Sequence, residues 1–356
     1  MSLWSWILWG QILIRGAWLH RGDGSLCVQA DVLIQGDSIA AIGPVLSALP
    51  HFQVIEARGM HLYPALISLG TPVGLIEIEA VRATRDHIEV GDFTPEVEAY
   101  TAFNVDSKIL STLIAVGIVY VESTPQGGLI AGQSALMKVV GRTKEEAVVL
   151  PIAALHLYPP TQRPNPYAPY EEQKKQAEKA KAAWNKIDSY LQKAARWCAG
   201  DSGEQNISFR ALCPYLSRKA PVVWHVDNAE DIESAIRLSQ KWGLRSAIAG
   251  GAEATRVLPL LKESSMPIIL QRTHRLPHTE DAPIAESFML PKILRDSGIT
   301  VILSHESFWN QRNLPYNAGT AVAYGVPAEE ALAMITREPA RWLGLTRLGQ
   351  IAQGYQ

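Results

Sequence analysis

The chain has 356 residues, of which 47% are hydrophobic and 19% are charged. This composition is typical of a globular protein with a large core, and it excludes disorder as the main state. The 33 lysine and arginine residues and the 35 aspartate and glutamate residues give a net charge of -2, and no basic arm is present at either end. We therefore expect no nucleic-acid partner.

The three cysteines, Cys27, Cys198 and Cys213, lie far apart and form no CxxC pair. This spacing indicates neither a disulfide framework nor a thiolate zinc site, so we expect reduced core residues. The first residues are apolar but lack a basic n-region. These features predict a cytoplasmic protein with no membrane partner, and a trimmed secreted precursor is the alternative.

Two different patterns divide the chain. Residues 10–58 alternate apolar and polar positions in short runs separated by glycine-containing turns, which is typical of a small antiparallel β unit. From Tyr63 onward, short and nearly all-apolar runs alternate with amphipathic helices, as in parallel strands covered on both faces. Seven such runs, with an eighth candidate in SALMKVV, predict an α/β fold with a TIM-type (β/α)8 barrel; a doubly wound sheet is the alternative.

A helical insertion is predicted at about residues 161–200. The stretch from Tyr170 to Cys198 has apolar residues at helical spacing, which predicts one long amphipathic helix. Its lysines alternate with acidic residues, so we interpret them as a solvated outer face. The segment YPPTQRPNPYAPY before it is rich in proline and predicts an irregular loop.

A charged run, EIEAVRATRD, follows the first predicted barrel strand. If this run is helical, Arg82, Arg85 and Asp86 share a face with Glu79. Such a face is either an exposed set of ion pairs or part of a ligand site that needs no metal.

Six segments carry a resemblance to a known family. They are ADVLIQGDSIAAIGP with VIEARGMHLYPALIS, GLIEIEAVRATRDHIEVGDFTPEV, TPQGGLIAGQSAL, PVVWHVDNAEDIESAIRL, and RNLPYNAGTAVAYGVPAEEALAMITREPARWLGL. On these segments the chain resembles the imidazolonepropionase-like branch of the amidohydrolase superfamily, from about Ile12 to Gln356. The resemblance implies a β-sandwich formed by residues 1–62 with a partner segment from about residue 346 onward, and a barrel over residues 63–345.

The family closes its sandwich with a strand that follows the last helix, and this sequence ends where that strand should begin. We therefore expect an incomplete sandwich, with a sheet edge near residues 10–58 that is frayed or covered by another chain.

The resemblance also implies a metal centre, which the sequence reproduces only in part. Members of the family hold one or two divalent ions at the carboxyl ends of the strands, through a His-x-His pair on the first strand, later histidines and an aspartate on the last strand. Gly70 and Pro72 stand at the two first-strand positions, and Gly250 stands at the sixth-strand position, so three ligand positions carry no donor side chain. His225 on the fifth strand matches a ligand position.

The last strand ends in Ser-His-Glu-Ser, which places His305 or Glu306 near the expected aspartate. We take these two residues as the catalytic candidates and His225 as the candidate metal ligand. His156 and Asp227 are further donors, but each suits a packed or hydrogen-bonded role at a strand end better than a role as a ligand. Because a catalytic zinc needs about three protein ligands and an open position, we expect either no metal or a single zinc ion.

Polar residues after several strands are predicted to converge on one small-molecule site. Arg272, Thr273, His274 and Arg275 follow the seventh strand, and Arg312 and Asn313 follow the eighth. Gln133 ends a glycine-containing loop after the second strand, whose backbone amides are candidates to receive an anionic group.

Three functions remain open on the sequence. The first is an amidohydrolase-like hydrolase of non-peptide C–N bonds whose activity is in doubt because most metal ligands are missing. The second is an inactive, metal-free binding or scaffolding homologue, paired with an active relative. The third is a lyase or isomerase that uses His225 with an arginine clamp.

Two structural expectations accompany these hypotheses. A homo- or hetero-oligomer is expected, and the tryptophans Trp4, Trp6 and Trp9 are candidates either for a subunit contact or for packing of the sandwich. His225, without its metal-binding partners, is expected to hydrogen bond to Glu306 or to a water molecule.

Overall fold

The structure is a computed structural model that describes residues 10–200, 205–277 and 282–356. The tryptophans of the N-terminal segment lie outside these residues. The strands are β1 (Gln11–Leu19), β2 (Val28–Gln35), β3 (Ser38–Gly43), β4 (Gln53–Glu56), β5 (His61–Leu62), β6 (Leu66–Thr71), β7 (Ile118–Ser123), β8 (Ile130–Gln133), β9 (Ala135–Lys138), β10 (Val148–Leu150), β11 (Leu155–Leu157), β12 (Pro221–Val226), β13 (Arg245–Gly250), β14 (Ile268–Leu270) and β15 (Val301–Leu303).

The helices alternate with the later strands. They are α1 (Ala99–Ala102), α2 (Lys108–Ile114), α3 (Lys144–Ala147), α4 (Tyr170–Cys198), α5 (Ile207–Leu216), α6 (Ala229–Trp242), α7 (Leu258–Ser264), α8 (Glu286–Asp296), α9 (Leu314–Ala323), α10 (Ala328–Ala333) and α11 (Arg337–Trp342), with short 3-10 turns at Arg82–Thr84, Ala254–Val257 and Asn310–Asn313. None of the helices in the described ranges is long and apolar enough to cross a membrane.

The chain divides into two compact units, each with its own elements. The sheet unit comprises residues 10–66 and 327–356 of the described chain. The strand–helix unit comprises the described residues between 67 and 326.

In the sheet unit, strands β1 to β5 form one sheet in the order β3-β2-β1-β4, with β5 also paired to β1. Its apolar face packs Leu19, Val32 and Ile39 against Ile351 from the C-terminal segment. That segment also pairs with β3, because the Ile39 amide donates to the Tyr355 carbonyl at 2.8 Å. At the opposite edge all four residues of β4 are exposed. The β-sandwich stays a prediction, since the strands of this unit in the described ranges form a single sheet.

The strand–helix unit contains two sheets. One has the order β10-β9-β7-β6, and the other has the order β15-β14-β13-β12-β11-β8. Within the second sheet, β11 to β15 are parallel neighbours in chain order. Each of the seven apolar runs identified in the sequence overlaps at least one strand of these two sheets. A side-chain hydrogen bond connects the two sheets. The hydroxyl of Ser304, which follows β15, donates to the Leu69 carbonyl of β6.

The predicted long helix is confirmed as α4, which buries Ala180, Trp184, Ile187 and Leu191 along one face. The expectation of three reduced core cysteines is wrong. Cys198 at the end of α4 is bonded to Cys213 in α5, with their Cα atoms 5.7 Å apart. The packing of α5 against α4 brings the two thiols together, which a separation of 15 residues does not reveal. Because disulfides are rare in the cytoplasm, the cytoplasmic location stays a prediction.

The charged run after β6 is not a helix. Only Arg82–Thr84 forms a short 3-10 turn, and the surrounding backbone is extended or irregular. The Thr84 hydroxyl bonds to the carbonyls of Ile78 and Val81, so a side chain closes a local turn in place of helical hydrogen bonds. The predicted helical face with Glu79 therefore does not form.

Candidate functional site

A buried chain of acid and imidazole groups crosses the interior of the strand–helix unit. Glu122 on β7 and His156 on β11 are both fully buried, and His156 Nε2 lies 3.3 Å from Glu122 Oε1. His156 Nδ1 lies 2.9 Å from His225 Nε2 on β12. Glu122 also accepts hydrogen bonds from the Ser134 hydroxyl at 2.6 Å and from the Gly70 amide at 3.0 Å. Every polar atom of this carboxylate is thus satisfied inside the protein.

Of the three residues in this hydrogen-bonded series, His225 is the one that lines a cavity. Its ring stacks on Tyr158, with centroids 3.9 Å apart, and the Gln271 side chain hydrogen bonds to it. The expected partner, Glu306, instead forms an ion pair with Arg272 at 3.2 Å. The prediction of a His225–Glu306 hydrogen bond is therefore wrong, because the parallel register of β11 and β12 places another histidine within reach.

Burial and the hydrogen bonds of this series determine the charge states of Glu122 and His225. Burial alone raises the pKa of Glu122, but hydrogen bonds from His156, Ser134 and the Gly70 amide outweigh it, so the pKa lies below its usual value. Burial, reinforced by the neighbouring His156, holds the pKa of His225 well below its usual range. We therefore take Glu122 as ionised and His225 as neutral at pH 7.

Two hollows, each of about 330 Å³, meet at this histidine. Both are lined by Tyr158, His225, Gln271 and Glu306. The first extends toward the ends of β13 and β14, and the second extends toward the end of β6 and the segment that follows it. Pockets of this size at the ends of parallel strands are common sites for small molecules.

The residues at the lost ligand positions all border these hollows. Gly70 and Pro72 line the second hollow and Gly250 lines the first. A Cβ atom at Gly70 would lie 2.7 Å from Nε2 of Gln271, and one at Gly250 would lie 2.7 Å from Oδ1 of Asp227. The space that a ligand side chain would need at these two positions is thus filled by polar groups from the ends of β14 and β12.

The donors at the hollows do not fit a catalytic zinc. His156 and His225 use facing nitrogens to bond to each other, and Glu122 is occupied by three hydrogen bonds. Within the described ranges, the group of three donor side chains close enough to share an ion lies in the sheet unit, not here. A zinc ion at His225 would have to break the histidine pair and still find further ligands.

The remaining predicted residues are dispersed. His305 receives the Ser307 amide at 3.2 Å, and His274 bonds to Thr320 at 2.7 Å. Gln133 is buried and accepts a hydrogen bond from the hydroxyl of Tyr215 at 2.9 Å. These contacts hold the three predicted side chains away from the lining of either hollow.

The pair after β15 is also absent from the lining of both hollows. Arg312 stacks on the Trp309 ring at 4.6 Å, and Asn313 precedes the first turn of α9. In the loop before Gln133, the amides of Leu129 and Ile130 are not open to an anion, because both donate to the Asp92 carbonyl. Of the polar residues predicted to converge on the site, Arg272, Thr273 and Arg275 line the first hollow.

Several site residues were missed in the sequence. Glu122 is the clearest case, since an acidic residue inside an otherwise apolar strand must have a partner. Gln271 follows β14 directly and carried the same kind of signal as Arg272. His87 had no such signal, because it lies in the irregular segment after β6 and reaches the second hollow only through the tertiary structure.

Acid should destabilise the protein through its buried histidines. Burial, with Arg272 and His274 nearby, lowers the pKa of His305 from 6.5 to about 4. A folded-state pKa below the unfolded value contributes stability above pH 6.5 that is lost as the pH falls toward 4. We expect His305→Asn to reduce the loss of unfolding free energy between pH 7 and pH 5 by about 1 kcal/mol, allowing for partial exposure of the ring.

Urea unfolding at the two pH values measures this effect. The matched control is His51→Asn, which removes an exposed histidine from the sheet unit and should keep the wild-type pH dependence. If wild type and His305→Asn lost the same unfolding free energy between pH 7 and pH 5, His305 would take up its proton as readily in the folded as in the unfolded protein, and the prediction would be wrong.

Comparison with known proteins shows the fold. No protein-family model matches the sequence, and no curated protein matches it. The amidohydrolase from Thermotoga maritima MSB8 has a TM-score of 0.82 at 21% identity, covering 97% of this chain and 92% of that chain. Ochratoxinase from A. niger has a TM-score of 0.56 at 13% identity, covering 97% and 88%.

The β-aspartyl dipeptidase from Fervidobacterium islandicum AW-1 has a TM-score of 0.53 at 14% identity, covering 97% of this chain and 89% of that chain. At these identities the likeness concerns the fold alone. The chain therefore has a mixed α/β fold that it shares with solved amidohydrolases.

Proposed function

We propose that the hollows at His225 bind a small molecule carrying a carboxylate or phosphate group, and that this binding needs no metal ion. The observation that carries the proposal is the filling of the lost ligand positions. Gln271 and Asp227 occupy the space at Gly70 and Gly250, so the site is rebuilt with hydrogen-bonding groups. The fold is shared with hydrolases, but the hollows present hydrogen-bonding side chains at positions where those enzymes would need metal ligands.

The polarity of the first hollow supports an anionic ligand. Nη2 of Arg275 and Oγ1 of Thr273 are buried without a hydrogen-bond partner among the described residues, and both side chains line this hollow. Buried donors without partners are costly unless a ligand completes them. An oxyanion accepts from both, and its charge is matched by the Arg275 guanidinium.

The second hollow is lined by two imidazoles, His87 and His225, and by the carboxyl groups of Glu79 and Glu306. Nδ1 of His87 is buried without a hydrogen-bond partner among the described residues, and burial together with Arg85 lowers the pKa of His87. His225 is neutral as well, because burial and His156 hold its pKa low. Two uncharged imidazoles beside Tyr158 and Gln271 suit the uncharged remainder of an organic acid.

The proposal includes a closed barrel. The sequential parallel order of β11 to β15 supports it, because a doubly wound sheet reverses its strand order at a switch point. Hydrogen bonds between the end of β15 and β6 lie where a barrel would close. A small β-sandwich and an oligomer remain part of the same proposal.

Hydrolysis of a non-peptide C–N bond is the second candidate function. The chain from Glu122 through His156 to His225 favours it, because a neutral imidazole can take a proton from water while the buried carboxylate stabilises the resulting charge. Rate measurements on anilides in the presence of a chelator test it. A chelator-resistant rate that falls about a hundredfold in His225→Gln would support the enzyme, and a rate equal to that of buffer would exclude it for these substrates.

Titration calorimetry with succinate and with inorganic phosphate, against chloride at equal ionic strength, tests the binding proposal. We expect one of the two anions to bind, with equal affinity before and after treatment with EDTA. Arg275→Met should weaken binding roughly 10- to 100-fold, because it removes a charged donor worth about 1.5–3 kcal/mol. Arg237→Met, which removes an exposed arginine of α6, is the matched control. Loss of binding on chelation, or an unchanged affinity in Arg275→Met, would contradict the proposal.

A further inference from the structure

A second cluster of donor side chains lies in the sheet unit. His20 follows β1, Cys27 precedes β2, and Glu329 lies in the first turn of α10. One ligand atom from each of these side chains lies within 4.8 Å of the others. An imidazole nitrogen, a thiol sulfur and a carboxylate oxygen are the three donor types that zinc takes from proteins.

The backbone around this cluster is fixed by hydrogen bonds within the same unit. The His20 amide donates to the Leu62 carbonyl at 2.9 Å, which continues the pairing of β1 with β5. The loop between β1 and β2 is closed by Asp23, whose carboxylate accepts from the Ser25 amide at 2.8 Å. Arg337 of α11 donates to the Asp23 carbonyl. Cys27 therefore follows a short loop that is held at its middle.

Both ring nitrogens of His20 have a defined partner. Nδ1 lies 2.6 Å from Oε1 of Glu329, and Nε2 lies 2.8 Å from Nδ1 of His61. The Tyr63 ring stacks on the His20 ring with a centroid distance of 4.2 Å. A histidine that binds a metal through one nitrogen usually donates its other N–H to a neighbouring acceptor, and His61 can be that acceptor.

Glu329 provides an independent sign that a ligand is missing. The residue is only 9% exposed, and its Oε2 atom is buried with no hydrogen-bond partner among the described residues. An ionised carboxylate oxygen without a partner is costly in such a place.

We propose that His20, Cys27 and Glu329 bind one divalent transition-metal ion of the zinc type. His20 would bind through Nδ1, the nitrogen that faces Glu329, and Oε2 of Glu329 is the carboxylate atom still lacking a partner. Binding converts the Cys27 thiol to a thiolate and releases its proton to solvent. Three protein ligands leave one position for water or for another group. This cluster shares no residue with the hollows at His225, so it neither needs nor supports the function proposed for them.

Cobalt titration of the intact, unreduced protein tests the site. Of the three cysteines in the sequence, two form the disulfide, so Cys27 is the single free thiol. We expect one equivalent of Co²⁺ to bind with a near-ultraviolet thiolate-to-cobalt charge-transfer band, and Zn²⁺ to displace it. Cys27→Ser should abolish the band. Glu329→Gln and His61→Ala should weaken binding, the latter about 10- to 100-fold as expected for a residue that orients a ligand.

The controls separate this site from any other metal site. The double variant Cys198→Ser with Cys213→Ser and the variant His51→Asn should keep the band and the affinity. Far-ultraviolet circular dichroism checks that each variant is folded, and the conservative Cys27→Ser variant carries the decision. Absence of the band in wild type, or its persistence in Cys27→Ser, would overturn the proposal.

Discussion

Glu122→Gln is expected to lower the free energy of unfolding by about 3 kcal/mol, which is a large part of the stability of a typical domain. The carboxylate is fully buried and accepts hydrogen bonds from Ser134 and from the Gly70 amide, and it lies beside His156. An amide of the same shape removes the charged acceptor beside His156 and turns one acceptor into a donor that faces other donors. Urea unfolding at pH 7 measures the change.

The matched control for this prediction is Glu146→Gln. Glu146 is exposed in α3 and accepts the Arg142 amide at 2.9 Å. Its replacement should change the unfolding free energy by no more than about 0.5 kcal/mol. If Glu122→Gln were as mild as this control, the buried carboxylate would not be the anchor of the histidine chain.

Gly70→Ala is expected to cost about 2–4 kcal/mol of unfolding free energy. The residue has a φ of +66°, which costs an L-amino acid about 1–2 kcal/mol, and the new methyl group would lie 2.7 Å from Gln271 Nε2. The Gln271 amide also donates to the Gly70 carbonyl at 3.1 Å, so it cannot move without losing that bond. A histidine at this position should therefore destabilise the protein further and not restore a metal site.

Gly243→Ala is the control that separates the two parts of this loss of unfolding free energy, the positive φ and the contact with Gln271. Gly243 ends α6 with a φ of +63°, almost that of Gly70, and no atom lies within 4 Å of the position that a new Cβ would take. We expect this control to lose only about 1 kcal/mol, from the backbone alone. Equal losses in the two variants would mean that Gln271 gives way easily and does not fill the lost ligand position.

Local patterns in the sequence predicted most of the elements. The apolar runs gave the strands, and helical spacing gave α4, because these depend on residues close together in the chain. The charged run after β6 shows the limit of such patterns. Its residues form a helical face only if a helix is present, and the Thr84 hydroxyl closes a turn instead.

The site itself depended on contacts that no local pattern contains. Glu122 and His156 are 34 positions apart, and Gly70 and Gln271 are 201 positions apart. The sequence identified Gly70 as a lost ligand position, but only the hydrogen bond between Gln271 and Gly70 shows what replaced it. In the same way, the partner of His225 follows from the register of β11 with β12.

A metal-free site at His225 is central to the proposed function. The zinc stoichiometry of His225→Ala beside wild type, measured after dialysis against zinc and passage through a desalting column, tests it most directly. We expect the two proteins to contain the same amount of zinc, because any bound ion belongs to the cluster at Cys27. A loss of about one equivalent of zinc in His225→Ala would contradict the proposed function and restore the hollows at His225 as a working metal site.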